Sequence, residues 1–134
     1  MPTKHFIPVS LRWGDEDRYG HVNNVVFFRL LEEGRARWIT GAQPDDNLLT
    51  HGLLVHEASL TYHAPLHYRE APIVVELAVT KIGGASIDIA CRVLDTDNPA
   101  STCYASGHIR LVAYDFDSEA PRRLSPADRQ WLEA

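Results

Sequence analysis

The sequence predicts an α+β fold in which one long helix packs against an antiparallel sheet. Three observations predict it: a helix-like hydrophobic period begins near residue 24, four strand-like runs follow it, and tight turns join those runs. Tight connections favour antiparallel pairing, and one apolar helix against one curled sheet buries both apolar faces. We expect residues 1–134 to form a single domain.

The first strand is predicted at residues 6–13 and the long helix from residue 24. Asn23 or Asn24 suits the cap of this helix, and Gly41 suits the position just past its end. The apolar residues that define its buried face are Phe27, Leu30, Leu31, Gly34 and Trp38. Gly34 costs about 1 kcal/mol of helix propensity relative to Ala. We therefore expect the helix to approach the sheet closely at that position.

Four further strands are predicted after the helix, at residues 53–66, 73–82, 86–94 and 101–114. Their connectors contain Pro, Gly-Gly and Asn-Pro, which are residue types that favour turns. A short C-terminal helix is predicted at about residues 125–133, with Ser at its cap and Pro in its first position.

Composition and charge argue against several classes of protein. The formal net charge is −5, whereas nucleic-acid-binding domains are mostly basic. No apolar run approaches the roughly 18 residues of a membrane span, and the N-terminus lacks the features of a signal peptide. Cys91 and Cys103 lack metal-type spacing and are expected to be reduced thiols. We therefore expect a cytoplasmic protein that binds neither nucleic acid nor membrane.

A dense polar segment, D-E-D-R-Y-G-H-V-N-N, occupies residues 15–24, directly before the long helix. Gly20 allows a sharp turn or the close approach of a ligand. The unsatisfied N–H groups at the helix start, near Asn24, suit an oxygen that gains negative charge during acyl transfer. They also favour the ionised form of a neighbouring carboxylate. One short segment could thus supply a base or nucleophile together with an oxyanion donor.

This segment, the following F-F-R-L-L-E-E-G-R and the later Y-H-A-P-L resemble hotdog-fold acyl-CoA thioesterases of the 4-hydroxybenzoyl-CoA thioesterase-like family. The resemblance covers about residues 5–115. It implies a five-stranded antiparallel sheet wrapped around one long central helix. It also implies a homodimer or homotetramer with paired sheets and active sites at the interface. The implied substrate is an acyl-CoA, and no metal or organic cofactor is expected beyond the CoA of the substrate.

The same resemblance assigns roles to individual residues. Asp17 becomes the catalytic carboxylate, as a nucleophile or as a general base for water, and the Asn24 N–H polarises the thioester carbonyl. His21 is a further catalytic candidate, although it could simply order the loop. The candidate substrate-binding residues are Tyr19, Gly20, Asn23, Phe27, Lys81 and Gly84. The basic candidates for CoA phosphates, besides Lys81, are Arg69, Arg110, Arg122 and Arg123.

Local composition alone leaves simpler roles open. Asp17 could be a turn residue, Tyr19 could merely cover the loop, and Asn23 could act only as a helix cap. No metal site is predicted, because the spacing of three nearby histidines does not bring three ligands together on one strand. Those histidines are His56, His63 and His67.

Two other functions are compatible with this fold. A hotdog dehydratase or hydratase would place a His in a setting that contains Pro-Gly, whereas His21 is followed by V-N-N. A non-catalytic acyl-thioester-binding module would have no need of an acid at position 17. The prediction is therefore a hydrolase that converts a fatty or aromatic acyl-CoA to free acid and CoA. The apolar residues Phe27, Phe28 and Leu31 favour a fatty acyl group slightly.

Overall fold

The structure, a computed structural model, describes residues 2–134. The helices are α1 (Asn24–Ala42), α2 (Leu48–His51) and α3 (Pro126–Glu133), and a single 3-10 turn covers Trp13–Asp15. The strands are β1 (Lys4–Val9), β2 (Leu53–Tyr62), β3 (Ile73–Ile82), β4 (Ser86–Leu94), β5 (Cys103–Asp115) and β6 (Ala120–Pro121). Five antiparallel strands form the sheet in the order β1-β3-β4-β5-β2, and β6 pairs with the end of β5. The predicted α+β fold, one long helix against a five-stranded antiparallel sheet, is confirmed.

Several element boundaries differ from the prediction for local reasons. β1 ends at Val9 rather than at residue 13, because the chain turns into the 3-10 helix. β2 ends at Tyr62, three residues before Pro65, which has no N–H to donate to a neighbouring strand. α1 continues through Gly41 to Ala42, and α2 is an element that the sequence pattern does not predict. None of the helices in residues 2–134 is long and apolar enough to cross a membrane.

The apolar side of α1 packs on the inner face of the sheet and forms the centre of the core. Four of the five predicted residues are buried; Trp38 is only half-buried and stacks on Trp131 of α3, with ring centroids 4.8 Å apart. At Gly34, an added Cβ would lie 2.8 Å from Val75 Cγ1 of β3. The helix and the sheet therefore approach each other as closely as the glycine predicted.

β2 lies at an edge of the sheet, and most of its side chains are exposed. The residues that pair opposite the buried side chains of β5 are apolar, namely Leu53, Val55, Ala58 and Tyr62, and Leu60 pairs opposite Gly107. Val55 is 50% exposed and Tyr62 is 42% exposed. An apolar edge strand with unpaired N–H and C=O groups is suited to pair with another strand.

The close contact at Gly34 leads to a stability prediction. Gly34→Ala should destabilise the protein, because overpacking against Val75, which costs about 1–3 kcal/mol, exceeds the gain of about 1 kcal/mol in helix propensity. Gly41→Ala is the matched control, since a Cβ at that position of the same helix would meet nothing within 4 Å. It should raise the melting temperature, whereas Gly34→Ala should lower it. Equal stabilisation by both substitutions in thermal unfolding would contradict the tight contact.

Candidate active site

The polar segment before α1 forms a compact hairpin-like loop. Glu16 and Val22 pair in an isolated antiparallel bridge, and the Asp17 N–H donates to the carbonyl of His21 at 3.0 Å. The Gly20 N–H donates to the carbonyl of Asp17 at 3.0 Å, and Gly20 has a φ of 79°. A side chain at position 20 would be strained in this left-handed conformation, so the turn favours glycine.

Asp15 anchors this loop to the long helix. Its carboxylate is almost completely buried and accepts hydrogen bonds from the Arg12 N–H at 2.7 Å and from Arg29 Nη2 of α1 at 2.6 Å. Its carbonyl oxygen accepts from the Asn23 N–H at 3.1 Å. Charged hydrogen bonds of this kind are strong when they are buried, and they set the position of the loop relative to the start of α1.

The Asp17 carboxylate is held at the surface of a cleft. Its Oδ1 accepts from the Tyr19 N–H and its Oδ2 accepts from Asn23 Nδ2, both at 2.9 Å. These hydrogen bonds, that of Asn23 first, keep the pKa of the Asp17 carboxyl below its ordinary value of 3.8, and positive charge on His21 acts in the same direction. Asp17 is therefore ionised at neutral pH, and its direction is fixed by two donors.

The start of α1 presents an open amide to the same cleft. Asn23 caps the helix, because its Oδ1 accepts from the Val25 N–H at 2.9 Å and its carbonyl accepts from the Val26 N–H at 3.0 Å. The Asn24 N–H has no hydrogen-bond acceptor within the part of the chain that the structure describes. Asn24 thus offers a donor at the electropositive end of the helix.

The cleft has a volume of about 650 Å³ and lies between the loop and the segment that follows β2. Of the predicted site residues, the cleft brings together Asp17, Tyr19, His21, Asn23, Asn24 and Phe27. Gly20 forms the turn beside them. Phe28 and Leu31 do not line the cleft: Leu31 is in the core and Phe28 is exposed elsewhere on α1. Of the three residues predicted to form an apolar tunnel for the acyl group, only Phe27 lines the cleft.

The imidazole of His21 makes no hydrogen bond to the Asp17 carboxylate; its ring meets that of His67 edge-on, with centroids 5.2 Å apart. His67 Nδ1 lies 2.8 Å from the carbonyl oxygen of Gly20. Among residues 2–134, no three His, Cys, Asp or Glu side chains are grouped closely enough to hold a metal ion. His63 instead contacts Ser106, with 2.7 Å between Nε2 and Oγ.

Lys81 and Gly84 lie outside this cleft, at the other end of the strands. Across the sheet, Lys81 of β3 pairs opposite Asp88 of β4, and Asp88 pairs opposite Arg110 of β5. Arg110 in turn pairs with the middle of β2, so Lys81 is level with that point. The cleft lies at the end of β2, which at about 3.4 Å per residue is roughly 17 Å from this level. Of the other basic candidates, three form ion pairs: Arg69 with Asp95, Arg110 with Asp88 and Arg122 with Asp128. Lys81 and Arg123 form none within residues 2–134.

The end of β2 and the residues that follow it form a wall of the cleft to which the sequence pattern assigns no role. Tyr62, His63, Pro65 and Leu66 line the cleft, and the Tyr62 hydroxyl donates to the carbonyl oxygen of Asn24 at 2.8 Å. The signal for them is the Y-H-A-P-L motif, which contributes to the resemblance without pointing to a function of its own. The Val22 N–H donates to the Leu66 carbonyl at 2.7 Å, so this wall also braces the loop.

The family model of the thioesterase-like superfamily matches residues 11–132, and the chain belongs to this superfamily. Solved structures agree. The PA2801 protein, a candidate thioesterase from Pseudomonas aeruginosa, is 32% identical over 96% of each chain, with a TM-score of 0.78. A candidate acyl-CoA thioesterase from Xanthomonas campestris is 31% identical over 90% of this chain and 98% of its own, with a TM-score of 0.75.

A thioesterase from Thermus thermophilus, solved with coenzyme A and zinc, is 26% identical over 96% of this chain and 97% of its own, with a TM-score of 0.76. No curated protein matches the chain significantly. The family and the fold together identify the chain as a thioester hydrolase with the hotdog fold.

The contacts of Asp17 lead to a prediction that does not depend on turnover. Asn23→Ser removes the donor to Asp17 Oδ2 but retains a good helix cap. The pKa of the Asp17 carboxyl should then rise towards 3.8 from the lower value that it has in the wild type. Carbon-detected NMR titration of the aspartate carboxyls measures this shift.

Asn47→Ser, which changes the cap of α2 away from the cleft, is the control for the titration. It should leave the Asp17 titration where it is. If Asn23→Ser also left the Asp17 titration unchanged, the Asn23 side chain would not be what holds the pKa down.

Proposed function

We propose that the chain is an acyl-CoA thioesterase, which hydrolyses a fatty or aromatic acyl-CoA to the free acid and CoA. The observation that carries the proposal is that Asp17 and Asn24 line one cleft, and that the Asn24 N–H has no acceptor within residues 2–134. The candidate acyl-CoA thioesterase from Xanthomonas and the CoA bound to the Thermus thioesterase support CoA as the carrier of the acyl group.

In the proposed reaction, the thioester carbonyl oxygen accepts a hydrogen bond from the Asn24 N–H. Negative charge grows on this oxygen as the carbonyl carbon is attacked, so the donor stabilises the transition state more than the substrate. The positive end of α1 adds to the effect. Phe27 and Tyr19 provide the apolar wall beside the acyl group, with Asn23 and the Gly20 turn at its polar rim.

Asp17 can act by two routes. As a general base, it takes a proton from water while the water oxygen bonds to the carbonyl carbon, and the C–S bond then breaks to release CoA thiolate. As a nucleophile, its own oxygen forms a mixed anhydride and expels the thiolate, and water then hydrolyses the anhydride. We assign His21 to the site as a residue that lines the cleft and contacts the substrate.

The proposed chemistry needs no metal or organic cofactor. A thiolate is a good leaving group, so the C–S bond can break without a Lewis acid or a strong general acid. CoA enters only as part of the substrate. The two thiols, Cys91 and Cys103, are not joined in a disulfide, which suits a reducing compartment such as the cytoplasm.

We further propose that two protomers pair their β2 edges. The exposed apolar side chains of β2 support this pairing, because Val55 is 50% exposed and Tyr62 is 42% exposed. The position of β2 at the edge of the sheet also supports it, since the outer N–H and C=O groups of an edge strand can pair with another strand.

This pairing would also explain how basic residues that lie far from the cleft of their own protomer could contribute to CoA binding. In an antiparallel β2–β2 pair, the end of one β2 meets the beginning of the other. The partner's Gly84, in the turn that is level with the beginning of β2, would then lie towards the cleft end of this β2; Arg123 lies beside that turn and Lys81 shortly before it. We propose that CoA phosphates bind there, across the dimer, with one or two of these basic groups.

Asp17→Asn tests the assignment of the carboxylate. The substitution keeps the shape of the side chain but removes its charge and basicity, so kcat should fall by about 100-fold or more. KM and the melting temperature should change little. Free-thiol release from acyl-CoAs of graded chain length measures the effect and ranks the acyl groups in the same assay.

Glu16→Gln is the matched control for Asp17→Asn. It neutralises the neighbouring acid, whose Oε1 accepts from the Tyr68 N–H, and it should retain most of the turnover. Unchanged turnover in Asp17→Asn would remove this carboxylate from the mechanism.

Val55→Lys tests the β2 pairing. A charged side chain at this exposed apolar position of β2 should prevent the edges from pairing, so light scattering should show a monomer instead of a dimer. Thioesterase activity should also fall, because each cleft would lose the residues that the partner contributes. Leu49→Lys on α2, which replaces a similarly exposed apolar side chain away from this edge, should remain dimeric and active. A wild-type monomer with full activity would contradict the shared site.

A further inference from the structure

Tyr62, the last residue of β2, connects the sheet to the start of α1. Its hydroxyl donates to the carbonyl oxygen of Asn24 at 2.8 Å, and its ring meets Phe27 edge-on with centroids 5.2 Å apart. Within residues 2–134 this is the only hydrogen bond between β2 and α1. The first turn of the helix is therefore attached to the edge strand through one phenol group.

The Tyr62 hydrogen bond is made to the same residue whose N–H is the proposed oxyanion donor. Asn24 lines the cleft and its N–H has no acceptor within residues 2–134, whereas its carbonyl is the acceptor for Tyr62. The preceding peptide is held by the Val26 N–H on the Asn23 carbonyl. The Tyr62 hydroxyl binds the carbonyl of the next peptide, which follows Asn24. Hydrogen bonds on both sides of Asn24 thus restrict rotation of the residue that carries the N–H.

The phenol is itself well anchored. Tyr62 pairs with Ala105 of β5, and the next residue, His63, donates its N–H to the Tyr104 carbonyl at 2.8 Å. Packing against the buried Phe27 fixes the ring from the helix side. Burial also raises the pKa of the Tyr62 hydroxyl, so it remains a donor at neutral pH.

We propose that Tyr62 is a positioning residue for thioester hydrolysis: its hydroxyl orients Asn24 so that the N–H points at the developing oxyanion. This inference rests on the proposed function of the cleft. Tyr62 does not contact the reacting atoms in this role. It acts through the Asn24 backbone, and it connects the geometry of the oxyanion donor to the edge strand that we propose to pair in the dimer.

Tyr62→Phe is the direct test, because it removes the hydroxyl and retains the ring that packs on Phe27. Without this hydroxyl, the Asn24 N–H would be less well aligned with the oxyanion, and a loss of transition-state stabilisation equal to one net hydrogen bond corresponds to about a tenfold change in rate. We therefore expect kcat to fall about tenfold across acyl groups, with KM nearly unchanged. An S-alkyl-CoA, which lacks the thioester carbonyl, should bind the wild type and the variant equally.

Tyr104→Phe is the matched control. It removes a hydroxyl that donates to Asp95 Oδ1 at 2.7 Å, outside the cleft, so it should lower the melting temperature and leave kcat unchanged. The proposal is overturned if Tyr62→Phe behaves in the same way. It is also overturned if Tyr62→Phe raises KM at constant kcat, because the hydroxyl would then bind the substrate.

A second measurement separates this proposal from the proposed function. The amide resonance of Asn24 should move in Tyr62→Phe and stay in place in Tyr104→Phe, whether or not the protein hydrolyses any acyl-CoA. If the wild type releases no thiol but the Asn24 resonance moves, the proposed substrate is wrong while the positioning contact stands. If the resonance stays in place, the positioning role of Tyr62 fails regardless of the substrate.

Discussion

The buried carboxylate of Asp15 is the contact on which the geometry of the site depends. It joins three parts of the chain: the turn after β1, through the Arg12 N–H; the second turn of α1, through Arg29; and the helix cap, through its own carbonyl and the Asn23 N–H. A buried acid with charged and backbone donors has one favourable arrangement, since any lost partner leaves a charge without compensation. The loop is consequently held in one position against the helix.

Two neighbouring acids therefore have different roles because their surroundings differ. Asp15 is enclosed and satisfied by groups of the protein, so it contributes structure. Asp17, two residues later, faces the cleft, and its donors hold the carboxylate without closing it off from solvent. The side chain of Asn23 connects the two halves of the proposed machinery, because one end caps α1 and the other end holds Asp17. A carboxylate and an open amide can thus be placed together by about ten consecutive residues.

Patterns that depend on neighbours in the chain predict the structure well. The period of α1, the alternation of β3 and β4, and the Ser-Pro start of α3 all predict elements with nearly the observed limits. Gly34 is informative because a glycine inside a helix has a local cost that only a close contact explains, and Val75 supplies that contact. The errors occur at the ends of elements, such as β1 and β2, where a turn competes with continued pairing, and at α2, whose four residues are too few to show a helical period.

Local spacing and residue chemistry are enough to predict the fold class, the polar loop before α1 and the resemblance that assigned roles to Asp17 and Asn24. The three-dimensional arrangement was needed to show that the segment after β2 lines the cleft, that the Tyr62 hydroxyl reaches the Asn24 carbonyl, and that Lys81 lies far from the cleft along the strands. The first two of those facts join residues separated by about 40 positions, and contacts over such distances depend on the curvature and register of the whole sheet. No local pattern encodes them.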